Sequence, residues 1–360
     1  MIPTAWQSAD LGARLAWSER WMPRTAAAGQ ALPRLDDVRL AVTSHLDLKA
    51  FVMLRALLGA GAKMIVHEAD PATTLTDVVG LLADRGVAVV TPGECVDWEP
   101  TYTLEMGGDI VVEAAAREYY GIAAGVETTR TGLSRIGAVE LMHPVFDADG
   151  LPLKNHLHNR FAVGSSTWQT VLSRTNLSLH GLVVVVVGYG EVGGGLARTA
   201  RGHGAQVLVA EVDSARATVA SYDGFETGLL ADLASRADVV VTATGRPGAA
   251  PARVGYKDGC LLVNAGHSPD EVDLAGLGTG TEVIPAVTSH RVEGREVLLF
   301  AGGHVANLAA GDGDSLNAFD ITAAVLVEAL GWTVRYGAAY PPGLHPLPLG
   351  FEGGAGGVAG

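Results

Sequence analysis

The sequence predicts an α/β protein with two doubly wound parallel sheets, in two domains joined by hinges. Two observations carry that expectation. Short β-like runs alternate with helix-like stretches twice along the chain, the rhythm of parallel sheets covered by helices. The apolar run VVVVV leads directly into GYGEVG at residues 188–193, where a strand would hand over to a helix. With 360 residues, 48% of them hydrophobic, the chain can fill two cores.

In chain order, VRLAVTS (38–44), KMIVHEA (63–69), VAVVTP (87–92) and DIVVEAA (109–115) read as strands, and DLKAFVMLRALLGAG (47–61) as a helix. The second sheet starts at VVVVVG (183–188) and continues through AQVLVAEV (205–212), ADVVVTATG (237–245) and CLLVNAGH (260–267). DITAAVLVEALGWT (320–333) reads as a helix, and the glycine-rich tail GFEGGAGGVAG as disordered. These runs place a substrate and catalytic domain at 1–160 and a nucleotide-binding domain at 161–305. The segment 306–360 is expected to return to the first domain.

A net charge of −14 disfavours a nucleic acid or an anionic membrane surface as partner. MIPTAWQSADLGARLAW lacks the plan of a signal peptide, and no apolar run reaches the roughly 20 residues of a membrane span. A cytoplasmic enzyme is the expectation. The two cysteines, Cys95 and Cys260, stand outside any CxxC or metal-ligand spacing and read as core thiols; no metal site is expected.

Gly188, Gly190 and Gly193, with Glu191 and Val192 between them, fit a turn that brings a pyrophosphate to a helix N-terminus. Glu211 lies 18 residues past Gly193, where a carboxylate accepts from a ribose 2′-hydroxyl and repels a 2′-phosphate. NAD is therefore expected over NADP, in a Rossmann-like domain. Arg216, Thr244 and Gly266 complete the expected cofactor side.

Six stretches then occur in a telling order: HLDLKAFVMLRALLGAGAKM (45–64), GVETTRTG (125–132), LKNHLHNRF (153–161), GYGEVGGG, VNAGHSPDEVD (263–273) and GGHVANL (302–308). The chain resembles S-adenosylhomocysteine hydrolases, whose stretches read approximately HMTVETAVLIETL, EETTTG, TKSKFDN, GYGDVGKG, NIGHFDNEID and EGRLVNL. The resemblance runs from about residue 20 to 335. It implies a retained catalytic NAD that oxidises a nucleoside 3′-hydroxyl, making the neighbouring C4′ hydrogen removable. The 5′ substituent then leaves, water normally adds, and the hydride returns.

By the same resemblance, Lys154 handles the 3′-hydroxyl proton, and Asn159 lies near that lysine and the nicotinamide. Glu127, Thr128, Thr129 and Thr131 hold ribose and nicotinamide, with Arg130 interrupting the register. His45 serves the leaving group near C5′, and His267 and Asn307 face the cofactor, His267 at the edge of the cleft.

Several positions depart from the family. His158 replaces an aspartate, with His156 close by, and Asp47 and Lys49 replace a threonine and a glutamate that contact ribose and adenine. Lysine cannot accept a hydrogen bond from an adenine amino group. Met106 replaces an aspartate of DDGGD, GDGDS (311–315, with Asp314) stands where the family has GHPS, and the family's basic, tyrosine-bearing tail has no counterpart. Hydroxide is a poor leaving group, because water has a pKa of about 15.7 against about 8.5 for a thiol. A gained histidine answers that need by general acid catalysis.

The changes suit a dehydratase acting on a nucleoside with a free CH₂OH group, similar to the hydrolase-related dehydratases of angustmycin-type nucleoside biosynthesis. Catalytic candidates are Lys154, His45, His158, Glu127 and Asn159; substrate-side candidates are Asp47, Lys49, His267 and Asp314. S-adenosylhomocysteine hydrolysis and a non-catalytic, NAD-sensing role remain open alternatives. A homo-oligomer, dimer or tetramer, is expected.

Overall fold

A computed structural model describes residues 4–348. The chain divides into two compact units, one of Ala9–Asn155 with the chain from Leu316 onward, the other of His156–Ser315 with the segment through Ser8. The helix Ala306–Ala309 and the loop bearing Asp314 thus belong to the unit of the glycine motif, and the return to the other unit falls at Leu316 and not at 306. The tail GFEGGAGGVAG lies outside the described residues.

The first unit holds a six-stranded, wholly parallel sheet. Its strands are β1 (Arg39–Ser44), β2 (Lys63–Glu68), β3 (Tyr102–Glu105), β4 (Ala124–Glu127), β5 (Pro144–Asp147) and a last strand, Gly343–Pro346. The order from one edge is last strand, β5, β4, β3, β1, β2, so the winding reverses between β1 and β3. In such sheets ligands bind outside the carboxyl ends of the strands at that switch. His45 follows β1 and Met106 follows β3 there.

Two expected strands of this unit take other forms. DIVVEAA is the helix Asp109–Ala116, started by Gly108 in the left-handed region (φ 72°). Its buried residues Ile110, Val111 and Ala114 share one helical face, a periodicity that outweighs β-branched composition in so short a run. VAVVTP reaches the sheet only through an isolated bridge from Val89 to Val66, before Pro92 opens a short helix. The strands that fill the sheet, β3 and β4, are four residues each, and β4 contains Gly125; both are too short and mixed for a clear pattern.

The second unit contains β6 (Val183–Val187), β7 (Gln206–Ala210), β8 (Glu226–Gly228), β9 (Val239–Thr242), β10 (Cys260–Asn264), β11 (Thr281–Ile284), β12 (Val287–Val292) and β13 (Arg295–Phe300). The order is β11-β12-β13-β10-β9-β6-β7-β8. β13 through β8 run parallel, while β12 pairs antiparallel with both β13 and β11. The antiparallel addition was not expected from the sequence. Winding reverses between β6 and β9, whose carboxyl ends carry Gly188 and Thr244. Valines 184–187 are buried on both faces, which explains their unbroken run. Cys95 and Cys260 are buried thiols, one in each unit.

Among the described residues, no helix is long and apolar enough to cross a membrane, and no cluster of His, Cys, Asp or Glu is arranged for a metal ion.

Candidate active site

The glycines after β6 perform three distinct tasks. Gly188 has φ 93°, and a Cβ there would lie 2.9 Å from the Ala243 carbonyl oxygen. A Cβ on Gly193 would lie 2.0 Å from the Gly188 carbonyl oxygen, so this residue lets the helix Glu191–Gly202 pack against the turn. A Cβ on Gly190 would meet nothing within 4 Å. That face is left open at the N-terminus of a 12-residue helix without a side-chain cap, the geometry a pyrophosphate needs. Val192 packs on the core, and Glu191 is engaged by Arg160 at 3.1 Å and His156 at 3.3 Å.

Glu211 lies just beyond β7. Its carboxylate accepts from the backbone N–H groups of Tyr189 (2.7 Å), Val212 (2.7 Å) and Asp213 (2.9 Å). Those bonds hold it beside the glycine turn, at the strand end where dinucleotide-binding folds place an acid for the ribose. Arg216 is exposed in the first turn of the next helix, Ser214–Tyr222.

Glu271 is a residue that sequence reasoning missed. Fully buried, it accepts from the Thr244 and Gly245 N–H groups (2.8 and 2.6 Å) and from the Thr244 hydroxyl (2.9 Å). Burial raises its carboxyl above the ordinary range, against those hydrogen bonds. A Cβ on Gly266 would lie 1.6 Å from its Oε1, so glycine there makes room for the carboxylate that holds the loop after β9. The Gly266 N–H donates to Asn264 Oδ1 at 2.8 Å, and His267 follows, half-buried. The only signal for Glu271 in the sequence was a carboxylate within VNAGHSPDEVD.

Residues Leu153–Ala162 form a π-helix that carries Lys154, His158 and Asn159, with Lys154 and Asn159 half-buried. A Cβ on Gly195 would lie 1.8 Å from the Arg160 carbonyl oxygen, so the glycine-rich helix admits this backbone at close range. His158 is buried, with Nε2 3.1 Å from Asp314 Oδ2. Asp314 Oδ1 accepts from the Ser166 hydroxyl at 2.6 Å and from Asn307 Nδ2 at 3.1 Å. Asn307 Nδ2 also donates to Ser166 Oγ (3.0 Å), while its buried Oδ1 has no hydrogen-bond partner among the described residues. A buried acceptor without a donor is costly unless a ligand supplies one. The open face at Gly190, the carboxylate of Glu211 and this acceptor fit a nicotinamide dinucleotide.

In the other unit, the carboxyl ends of the strands carry the remaining candidates. His45 Nδ1 lies 2.7 Å from Thr73 Oγ1, and the Thr73 hydroxyl donates to the Asp70 carbonyl at 2.8 Å. The Thr73 oxygen therefore accepts from His45, which places a proton on Nδ1. Asp47 caps the helix Leu48–Gly59 through the Ala50 N–H and lies 2.6 Å from Lys49 Nζ, both side chains largely buried. The Ser44 hydroxyl points at Met106 Sδ, 3.8 Å away.

Glu127 is fully buried and accepts from the Gly107 N–H (3.1 Å), the Thr129 N–H and the Thr129 hydroxyl (both 2.7 Å). Burial, and then the nearby charge of Glu105, push its carboxyl up to about 8. Glu105, equally buried, is pushed up to about 7 by burial and accepts from Ile110 and Val111. Glu127 is thus bound into its own loop. Thr129 caps the helix Arg130–Ile136, Thr131 is half-buried in its first turn, and the buried Thr128 hydroxyl has no partner among the described residues.

A glycine cradle at a sheet's switch point, with a carboxylate at the end of the next strand, defines a dinucleotide-binding α/β protein. Residues 159–313 match the model of the NAD-binding domain of S-adenosyl-L-homocysteine hydrolase. An adenosylhomocysteinase of Thermotoga maritima is 31% identical, across 93% of this chain and 90% of that protein. An S-inosyl-L-homocysteine hydrolase of Methanopyrus kandleri is also 31% identical, across 92% and 85%. The chain belongs to the S-adenosyl-L-homocysteine hydrolase family, and its cofactor is NAD. The crystal structure of a dipicolinate synthase from Bacillus halodurans shares the fold, with a TM-score of 0.53 and 18% identity over 81% of this chain and 98% of that one.

Proposed function

We propose that this family member is a redox-neutral nucleoside dehydratase, resembling the enzymes of angustmycin-type biosynthesis, that converts a sugar CH₂OH group into an exocyclic alkene. The observation that carries the reading is the buried imidazole of His158, paired with Asp314 at 3.1 Å, at a motif position where the family has a carboxylate. NAD supplies, when bound, a reversible oxidation of the sugar hydroxyl that acidifies the hydrogen on the adjacent carbon.

The chain's own residues move the protons. Lys154 takes the hydroxyl proton during oxidation and gives it back on reduction. A base removes the hydrogen alpha to the transient ketone, the C–O bond of CH₂OH breaks, and a histidine protonates the departing oxygen. His158, beside a carboxylate that favours its charged form, suits that donor role; His45, whose Nδ1 proton is given to Thr73 and which would donate only from a protonated Nε2, is the other candidate. The balance is loss of one water, with the hydride and the hydroxyl proton restored. Without a thiolate to handle, the site has no need of the carboxylate that Met106 replaces.

The relatives' names support a second reading, hydrolysis of S-adenosylhomocysteine or S-inosylhomocysteine. The buried Asp47–Lys49 pair argues against the adenosyl substrate, because a lysine offers an adenine amino group no acceptor. The two units serve substrate and cofactor respectively, and a cytoplasmic homo-oligomer, dimer or tetramer, accords with this use. Mass spectrometry of products after incubation with a panel of nucleosides and both homocysteine conjugates tests the proposal. Loss of water from a nucleoside supports it; homocysteine release as the faster reaction overturns it.

A further inference from the structure

We infer that Asp314 is the positioning residue of the proton donor, holding the His158 imidazole with one carboxylate oxygen and the Asn307 amide with the other. The chemical consequence rests on the dehydratase reading. The geometry does not.

The two oxygens do separate work. Oδ2 lies 3.1 Å from His158 Nε2, and Oδ1 accepts from Ser166 Oγ at 2.6 Å and Asn307 Nδ2 at 3.1 Å. Because a carboxylate only accepts, Asn307 must present its NH₂ to it. Reversing the amide would set Oδ1 against Oδ1. The same carboxylate therefore decides which Asn307 atom is left as the buried acceptor, and it decides that His158 carries its proton on Nε2.

The pair joins two segments distant in sequence: His158 stands on the helix that also carries Lys154 and Asn159, and Asp314 lies in the loop GDGDS, 3.1 Å away. Of the neighbouring charges, His156 and Arg160, on the same helix, engage Glu191, and Asp312, in the Asp314 loop, accepts from the Thr4 hydroxyl at 2.8 Å.

When His158 protonates the departing hydroxide, Asp314 stabilises the imidazolium beforehand and keeps the ring oriented afterwards. The proton removed from carbon restores the imidazolium, so no external acid or oxidant is consumed.

The test uses the holoenzyme with nitrogen-15-labelled histidine, its His158 signal assigned by loss in His158→Gln. Asp314→Asn, which preserves shape and removes charge, should lower the His158 titration midpoint by about one unit or more. It should also speed NAD release, measured by dilution, since the Asn307 amide is no longer oriented. Ser166→Ala, which leaves the charge, should not move the midpoint. Should Asp314→Asn fail to fold, Asp314→Ser carries the same expectation. A lowered midpoint in a protein that dehydrates no nucleoside supports the positioning role and sinks the dehydratase reading. An unmoved midpoint overturns the positioning role, whatever the activity.

Discussion

Asp47 holds the Lys49 ammonium at 2.6 Å within a largely buried ion pair, and the same carboxylate caps the helix Leu48–Gly59. In the hydrolases this chain resembles, the two positions carry threonine and glutamate, neutral donor and anionic acceptor. Here one charge answers the other.

Two outcomes follow from the pair. Asp47→Ala takes the counter-charge from a buried ammonium and the cap from a helix, and should cost about 3 kcal/mol or more in denaturant unfolding. The double change Asp47→Thr with Lys49→Glu should raise homocysteine release from S-adenosylhomocysteine, assayed by thiol titration. Unchanged release would show that the pair does not set base preference.

Cofactor choice is expected to follow Glu211, whose carboxylate is tied down by three backbone N–H groups and would repel a 2′-phosphate. Apo-protein should regain bound NAD and take up NADP poorly, and NAD should copurify with the native protein. Equal uptake of both dinucleotides would disprove the role. Gly193→Ala forces a methyl group to within 2.0 Å of the Gly188 carbonyl oxygen, and should cost about 1–3 kcal/mol and abolish NAD retention.

The nucleotide side of this site was legible because its signals are local. A valine run, three glycines and an acid 18 residues on report one strand, one turn and the next strand end. The other unit was less legible: its central strands β3 and β4 have four residues each, and DIVVEAA looked like a strand until its buried positions marked a helix face. Pairings over long separations were hidden altogether. Nothing local joins His158 to Asp314, or marks Glu271 as the anchor of Thr244 and Gly245. Such roles depend on which loops the sheet order brings together.

Stability should fall on the acid side through His143. The ring is buried, neither nitrogen has a hydrogen-bond partner among the described residues, and burial lowers its pKa to about 4. The unfolded histidine titrates near 6.5. Between those values the unfolded chain binds a proton that the folded one refuses, so stability present above 6.5 is lost as pH falls toward 4, by up to about 3 kcal/mol. Glu127 and Glu105 act with the opposite sign, since their raised folded pKa values favour folding as pH drops from about 8 toward the ordinary 4.5. His143→Leu should therefore flatten the acid limb of a stability profile and leave the alkaline limb in place. An unaltered acid limb would assign the loss to another group.

Lys154 and the histidines should fail at different steps. Lys154→Ala should abolish the reduced-nicotinamide absorbance that appears on adding substrate, because the hydroxyl proton has no acceptor. His158→Gln should retain part of that absorbance while elimination stops. An identical early defect in both variants would end this division of labour.

The fate of one hydrogen separates dehydration from hydrolysis. The hydrogen on the sugar carbon between the ring oxygen and the CH₂OH carbon becomes acidic only while the adjacent hydroxyl is oxidised, so its removal reports the ketone. A dehydratase loses it for good, because that carbon ends in a C=C bond; a hydrolase puts a hydrogen back. Substrate deuterated at that carbon should give a product lighter by water and free of label. Deuterium on the oxidised carbinol carbon should instead return to its original position, since the hydride is restored to the carbon it left. Label retained at the first position, or washed out from the second, would contradict the sequence of oxidation, elimination and reduction assigned to Lys154 and His158.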